Sequence, residues 1–221
     1  MEEKAVQFQY EARYYQLGEL DVSTRDVWVA CHGYGQLAKY FLRRLEVLKE
    51  MGHVVFVPEG LHRFYLQGTG GRAGASWMTK EDRLRDIDNY LSYLNALYAK
   101  EIEPYKENCR IHLLGFSQGA STISRFAMQE HVKFDRLVIW AGVFPPDVNI
   151  DFAKVKLQGK QIEMAYGDTD PYITPESVDK LKDAFAAVNV SAREWKFAGE
   201  HDLDKNTLGE IAAMAVSSSQ R

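Results

Sequence analysis

A mostly parallel β-sheet with helices on both faces is predicted by two features of this 221-residue sequence. Strand and helix signals alternate along almost the whole chain, an order that requires crossover connections between parallel strands. The strands themselves are short, continuous apolar runs such as Val27-Trp-Val-Ala-Cys31, as expected where both sheet faces are covered. A hydrophobic fraction of 46% is ample for a core, and the length suits one domain spanning residues 1–221.

Taken in order, residues 5–17 alternate aromatic and polar side chains (Phe8, Tyr10, Tyr14, Tyr15) and read as an antiparallel edge strand or hairpin. The run 27–31 is a buried strand ending at His32-Gly33-Tyr34-Gly35. Residues 36–51 carry Leu37, Tyr40, Phe41, Leu45 and Leu48 at spacings of three and four, a helix stopped by Gly52. A second strand is expected at 53–57 and a long amphipathic helix at 81–99. Between them, residues 61–78 form a glycine-rich insertion with Gly68, Gly70, Gly71 and Gly74 beside Phe64, Tyr65, Arg72 and Trp77. Such a loop is expected to serve as a lid or pocket wall. Strands follow at 110–114, 136–141, 161–166 and 192–197, and helices at 118–130, 175–188 and 204–216. Residues 217–221 read as a frayed end.

The chemistry-bearing residues lie where these strands end. Gly115-Phe-Ser117-Gln-Gly119 follows an apolar strand and opens a helix. A serine on so sharp a turn needs neighbours without a Cβ two residues before and after it, and its hydroxyl then stands above the sheet. A serine hydroxyl becomes a nucleophile only beside a base. His53 and His112 fall inside strands, His131 ends a helix, and His62 lies in the insertion. His201, in a loop between the last strand and the last helix, is the candidate base.

An acid must orient that histidine, and Gly167-Asp168-Thr-Asp170-Pro171 supplies two candidates at the end of a strand. Pro171 stiffens the chain after Asp170, which is preferred; Asp168 reads as a turn residue. Two backbone N–H donors are also needed for a developing oxyanion, and the amides of Gln118 and Tyr34 are nominated. Phe64, Tyr65 and Trp77 are equally compatible with an acyl pocket and with packed core. Arg72 reads as a solvated surface residue.

Together, His32-Gly-Tyr-Gly35, Gly115-Phe-Ser-Gln-Gly-Ala120, Gly167-Asp-Thr-Asp-Pro171 and Gly199-Glu-His201 resemble the blocks of the carboxylesterase and acyl-protein thioesterase group of α/β-hydrolases. The resemblance runs through most of the chain. It implies an α/β-hydrolase fold and a Ser117–His201–Asp170 esterase acting on carboxylic esters or thioesters, with no metal and no organic cofactor. It also implies that Trp77 stands beside the acyl site. Gln36 departs from the pattern, standing where that group commonly has an aspartate, and so does the insertion 61–78. Esters of short or medium acyl chains are the expected substrates, with thioester or amide cleavage, or a non-catalytic binding module, as alternatives.

Composition limits the partners. A formal charge of −4 offers no footprint for nucleic acid. The N-terminus shows no secretory pattern and no apolar run reaches membrane-span length. Two cysteines, Cys31 and Cys109, suit a reducing compartment, so a cytoplasmic location is expected. Self-association as a homodimer would require exposed aromatic surface.

Overall fold

The computed structural model describes residues 1–215. Its elements run β1 (Tyr14–Leu17), β2 (Asp26–Cys31), α1 (Ala38–Phe41), a 3-10 turn (Leu42–Leu45), α2 (Glu46–Glu50), β3 (Val54–Pro58), β4 (His62–Gln67), β5 (Gly70–Ser76) and α3 (Arg83–Leu97). After a π-helical turn (Tyr98–Ile102) come β6 (Arg110–Phe116), α4 (Gln118–Ala127), β7 (Arg136–Trp140), α5 (Ile150–Leu157), β8 (Gln161–Gly167), α6 (Pro175–Ala187), β9 (Ala192–Phe197) and α7 (Lys205–Ala213).

Seven strands form one sheet in the order β1-β3-β2-β6-β7-β8-β9. β1 is antiparallel to β3, and every other pairing is parallel. This is the expected α/β-hydrolase architecture. Alternate side chains of each strand go to opposite faces. On one face Val29, Leu113, Ile139 and Met164 pack with Tyr90, Phe126 and Phe185 from α3, α4 and α6. On the other, Trp28, Leu114, Val138 and Trp140 pack with Phe41, Leu48, Leu208 and Ile211 from α1, α2 and α7. Complete burial of each such leucine or phenylalanine stabilises the fold by about 1.5–3 kcal/mol.

Several expectations change in three dimensions. The N-terminal strand covers only Tyr14–Leu17, because its ladder ends where Tyr14 meets Pro58, the last residue of β3; the preceding residues lie outside the sheet. The helix expected over 36–51 starts at Ala38 and tightens at Leu42–Leu45, although Leu37, Phe41, Leu45 and Leu48 keep their inward stripe. Its first residue is instead committed elsewhere: the backbone of Gln36 bridges to Ala75. The insertion 61–78 is a β-hairpin, β4 paired antiparallel with β5, and not an irregular loop. Helix α5 went unforeseen, since it buries only Ala153 and Leu157 while Ile150, Phe152 and Val155 are exposed. The expected fray at 217–221, with residue 216 of the last helix, lies outside the described residues.

Candidate active site

The strand-to-helix turn at Ser117 is built by close contact. Ser117 sits between β6 and α4 with φ 54° and ψ −118°, a conformation that costs a non-glycine residue about 1–3 kcal/mol. Its N–H donates to Trp140 O at 2.8 Å and its carbonyl accepts from Ala120 N–H at 3.0 Å, which holds the strain in place. A Cβ on Gly115 would lie 2.3 Å from Gly119 O, and one on Gly119 would lie 2.1 Å from Cys31 O. Both glycines are therefore required by backbone approach, as their spacing predicted. Ser117 itself is half-buried.

Asp170 and His201 come together from the ends of adjacent strands, because Gly167 of β8 is in register with Phe197 of β9. The two loops are tied by Asp168 N–H to Phe197 O (2.8 Å), Thr169 N–H to Gly199 O (3.0 Å) and Gly199 N–H to Asp168 Oδ1 (2.9 Å). Asp168 is thus a tie between the two loops, its side chain reaching Gly199 instead of capping its own turn. Asp170 has a fully buried side chain. Its Oδ2 lies 2.7 Å from His201 Nδ1, and its Oδ1 accepts the Tyr172 N–H at 2.8 Å. An ionised carboxylate can only accept, so Nδ1 carries the proton and Nε2 is left with its lone pair.

The His201 ring packs between Phe116, 4.9 Å away, and Tyr172, 4.8 Å away. Phe116 immediately precedes Ser117, so this contact seats the imidazole at the turn. Ser117 Oγ and His201 do not share a hydrogen bond here; such contacts commonly tighten only with substrate. Neither Phe116 nor Tyr172 was singled out from the sequence. Their positions beside Ser117 and Pro171 were the available signal.

Tyr34 lies in the turn after β2. Gly33 N–H donates to Gln36 Oε1 (2.8 Å), Gly35 N–H to Ala75 O (2.9 Å) and Gln36 N–H to Gly33 O (3.3 Å). Among the amides of this turn, that of Tyr34 has no such acceptor. Gln118 is the first residue of α4, where an N–H has no intrahelical acceptor and carries the helix's positive end. The turn also lies against the serine: a Cβ on Gly33 would be 3.2 Å from Ser117 Cβ. Gln36 therefore closes the turn through its side-chain carbonyl.

His32 is fully buried. Its Nε2 accepts the Gly60 N–H at 3.0 Å and its Nδ1 donates to Gly33 O at 2.8 Å. Burial lowers its pKa to about 4, so it is a neutral brace under the turn. Trp77 is likewise fully buried, with its indole N–H on His32 O at 2.9 Å and its ring against His32 and Tyr90. Trp77 is thus packed in the core, with its one side-chain polar atom satisfied inside the molecule. Phe64 is half-buried against the Tyr34 ring at 5.2 Å, whereas Tyr65 on the opposite face of β4 is 53% exposed. Among the described residues, no cluster of three or more His, Cys, Asp or Glu side chains could hold a metal ion, and no helix is long and apolar enough to cross a membrane.

Comparison with known proteins gives the same architecture. The chain superposes on maize (Zea mays) acyl-protein thioesterase 2 with a TM-score of 0.71 at 16% identity, covering 91% of this chain and 96% of that one. It superposes on esterase PE8 with a TM-score of 0.69 at 16% identity, covering 92% and 97%. For the Bacillus cereus carboxylesterase the values are 0.64, 16%, 91% and 92%. Among curated proteins, no sequence matches the chain. The model of the phospholipase/carboxylesterase family matches residues 19–215, so the chain belongs to this family of α/β-hydrolases.

Proposed function

We propose that the protein is a serine esterase that cleaves carboxylic esters of short or medium acyl chains. The observation that carries this reading is the hydrogen-bonded Asp170–His201 pair seated against the strained turn of Ser117. Ser117 Oγ attacks the carbonyl carbon while His201 Nε2 takes its proton, and Asp170 stabilises the imidazolium through Nδ1–H. The tetrahedral oxyanion is held by the N–H groups of Tyr34 and Gln118. Collapse expels the alcohol, which receives the proton from His201. Water, deprotonated by the same histidine, then releases the acid from the acyl-enzyme. No metal or organic cofactor is needed for these steps.

The hairpin β4–β5 forms a wall of the acyl site through Phe64, since it is bonded to the Tyr34 turn. The low cysteine count supports the cytoplasm as the compartment. Hydrolysis of p-nitrophenyl esters across acyl lengths tests the reading, with thioester and amide substrates alongside. Wild type is expected to turn over esters and to be labelled by a fluorophosphonate, while Ser117→Ala is expected to do neither. Equal labelling of both proteins, or tight ligand binding with no turnover, would exclude it; faster thioester turnover would shift it to a thioesterase.

A further inference from the structure

Both nominated oxyanion donors are attached to the same short piece of chain. On one side, the Tyr34 turn is bonded to β5: Gly35 N–H donates to Ala75 O at 2.9 Å, and Ala75 N–H to Gln36 O at 3.0 Å. Gly74 is pressed so closely against this turn that a Cβ there would lie 2.3 Å from Gly35 O. On the other side, the next three residues are gripped by the side chain of Gln118. Its Oε1 accepts the Trp77 N–H at 3.0 Å, and its Nε2 donates to Met78 O at 2.8 Å and to Ser76 Oγ at 3.1 Å. Ser76 Oγ in turn donates to Met78 O at 2.8 Å.

The carboxamide is therefore fully satisfied by backbone and by one buried hydroxyl, and Trp77 anchors the segment by its indole N–H on His32 O. Two donors that must converge on one oxygen thus hang from a single rigid strut, residues 75–78. We infer that the side chain of Gln118 is a positioning residue, separate from the role of its backbone amide: it locks α4 to the strut and so sets the spacing between the Tyr34 and Gln118 N–H groups. This rests on the esterase reading above. A second consequence is that the hairpin cannot swing freely as a lid at its β5 end, because that end is bonded to both halves of the site.

Preorganisation is what gives such donors their value, since misplacement by about 1 Å can cost on the order of 100-fold in rate. The test is Gln118→Met, which keeps length and helix propensity but removes every bond to the strut without adding charge. Ser76→Ala is the milder companion. Rates are normalised to sites titrated by the burst of acylation, and the inhibition constant of a trifluoromethyl ketone, which binds as an oxyanion adduct, is measured beside them.

For Gln118→Met, kcat is expected to fall about 10- to 100-fold with KM within two-fold, and ketone affinity to fall with kcat. Ser76→Ala is expected to show the same pattern at about 2- to 5-fold. A kcat within two-fold of wild type, or a loss matched by fewer titratable sites and a raised KM, would overturn the positioning role alone. Absence of burst and turnover in wild type would overturn the esterase reading and this role with it.

Discussion

The sheet carries an aspartate–histidine pair at each end, and the two are nearly alike in length. At the C-terminal end of the strands His201 Nδ1 lies 2.7 Å from Asp170 Oδ2; at the N-terminal end His112 Nε2 lies 2.8 Å from Asp26 Oδ1. Their surroundings differ. Asp26 is also gripped by both arms of Arg110, at 2.8 and 2.5 Å, and His112 stacks on Trp28 at 4.5 Å with only 1% exposure. Among the described residues no lysine or arginine pairs with Asp170, and the His201 ring, partly exposed, packs against Phe116 next to Ser117. A close carboxylate–imidazole contact therefore does not define a site. What sets the C-terminal pair apart is its place where the strands end and the loops open, next to the strained turn of Ser117.

Exchanging the same substitution between the two ends should separate them most widely. Asp170→Asn removes the acceptor that fixes the His201 tautomer and is expected to lower kcat by about 10⁴-fold in ester hydrolysis, with little change in melting temperature. Asp26→Asn is expected to leave turnover per folded molecule unchanged and to lower unfolding free energy by about 2 kcal/mol in urea titration, since a charged acceptor is lost from His112 and Arg110. Loss of activity from both, or from Asp26→Asn alone, would erase the distinction.

A smaller effect follows from protonation at the N-terminal end. Burial lowers the His112 pKa to about 4 despite its hydrogen bond to Asp26. Burial would raise the Asp26 carboxyl, but hydrogen bonds from His112 and Arg110 outweigh it and hold the pKa below the usual carboxylate range. Both groups bind protons less readily when folded than when unfolded. Their contribution is complete above the unfolded histidine pKa of about 6.5 and is lost as pH falls, first for His112 between about 6.5 and 4, then for Asp26. The urea midpoint should decline over that window and decline less in His112→Gln. An identical pH slope in the variant would remove His112 as the cause. The neutral brace His32 has the same sign and contributes to the remaining slope.

The smallest predicted difference concerns strain, which only the C-terminal end stores at its serine. At φ 54° a glycine is at ease and an alanine is not, so Ser117→Gly should be about 1 kcal/mol more stable than Ser117→Ala while both lack turnover. Equal urea midpoints would mean that the turn is not strained in solution.

Parts of the site were legible because they depend on local backbone needs. Gly115 and Gly119 flank Ser117 for lack of space, a requirement that shows in five consecutive residues. Alternating runs disclosed the strands, and chain order after the last strand pointed to His201. Other parts had no local signature. The hairpin β4–β5 was hidden because its glycines read as loop, while its pairing to the Tyr34 turn supplies the partners that hold it. Residues 5–13 alternate like a strand, but the ladder ends at Tyr14 and Pro58, with only the Arg13 carbonyl still accepting the Glu59 N–H.

The sequence by itself determined most strands and helices of the main sheet and the turn at Ser117, and nominated His201, because periodicity, glycine placement and chain order are one-dimensional properties. Tertiary structure decided which Asp–His contact faces solvent, that Trp77 is core, and that Gln118 and the Tyr34 turn share one strut. Those outcomes depend on contacts between residues far apart in the chain, such as Gln118 with Trp77, 41 positions away, and Asp26 with Arg110 and His112, 84 and 86 away, and no local pattern encodes such distances.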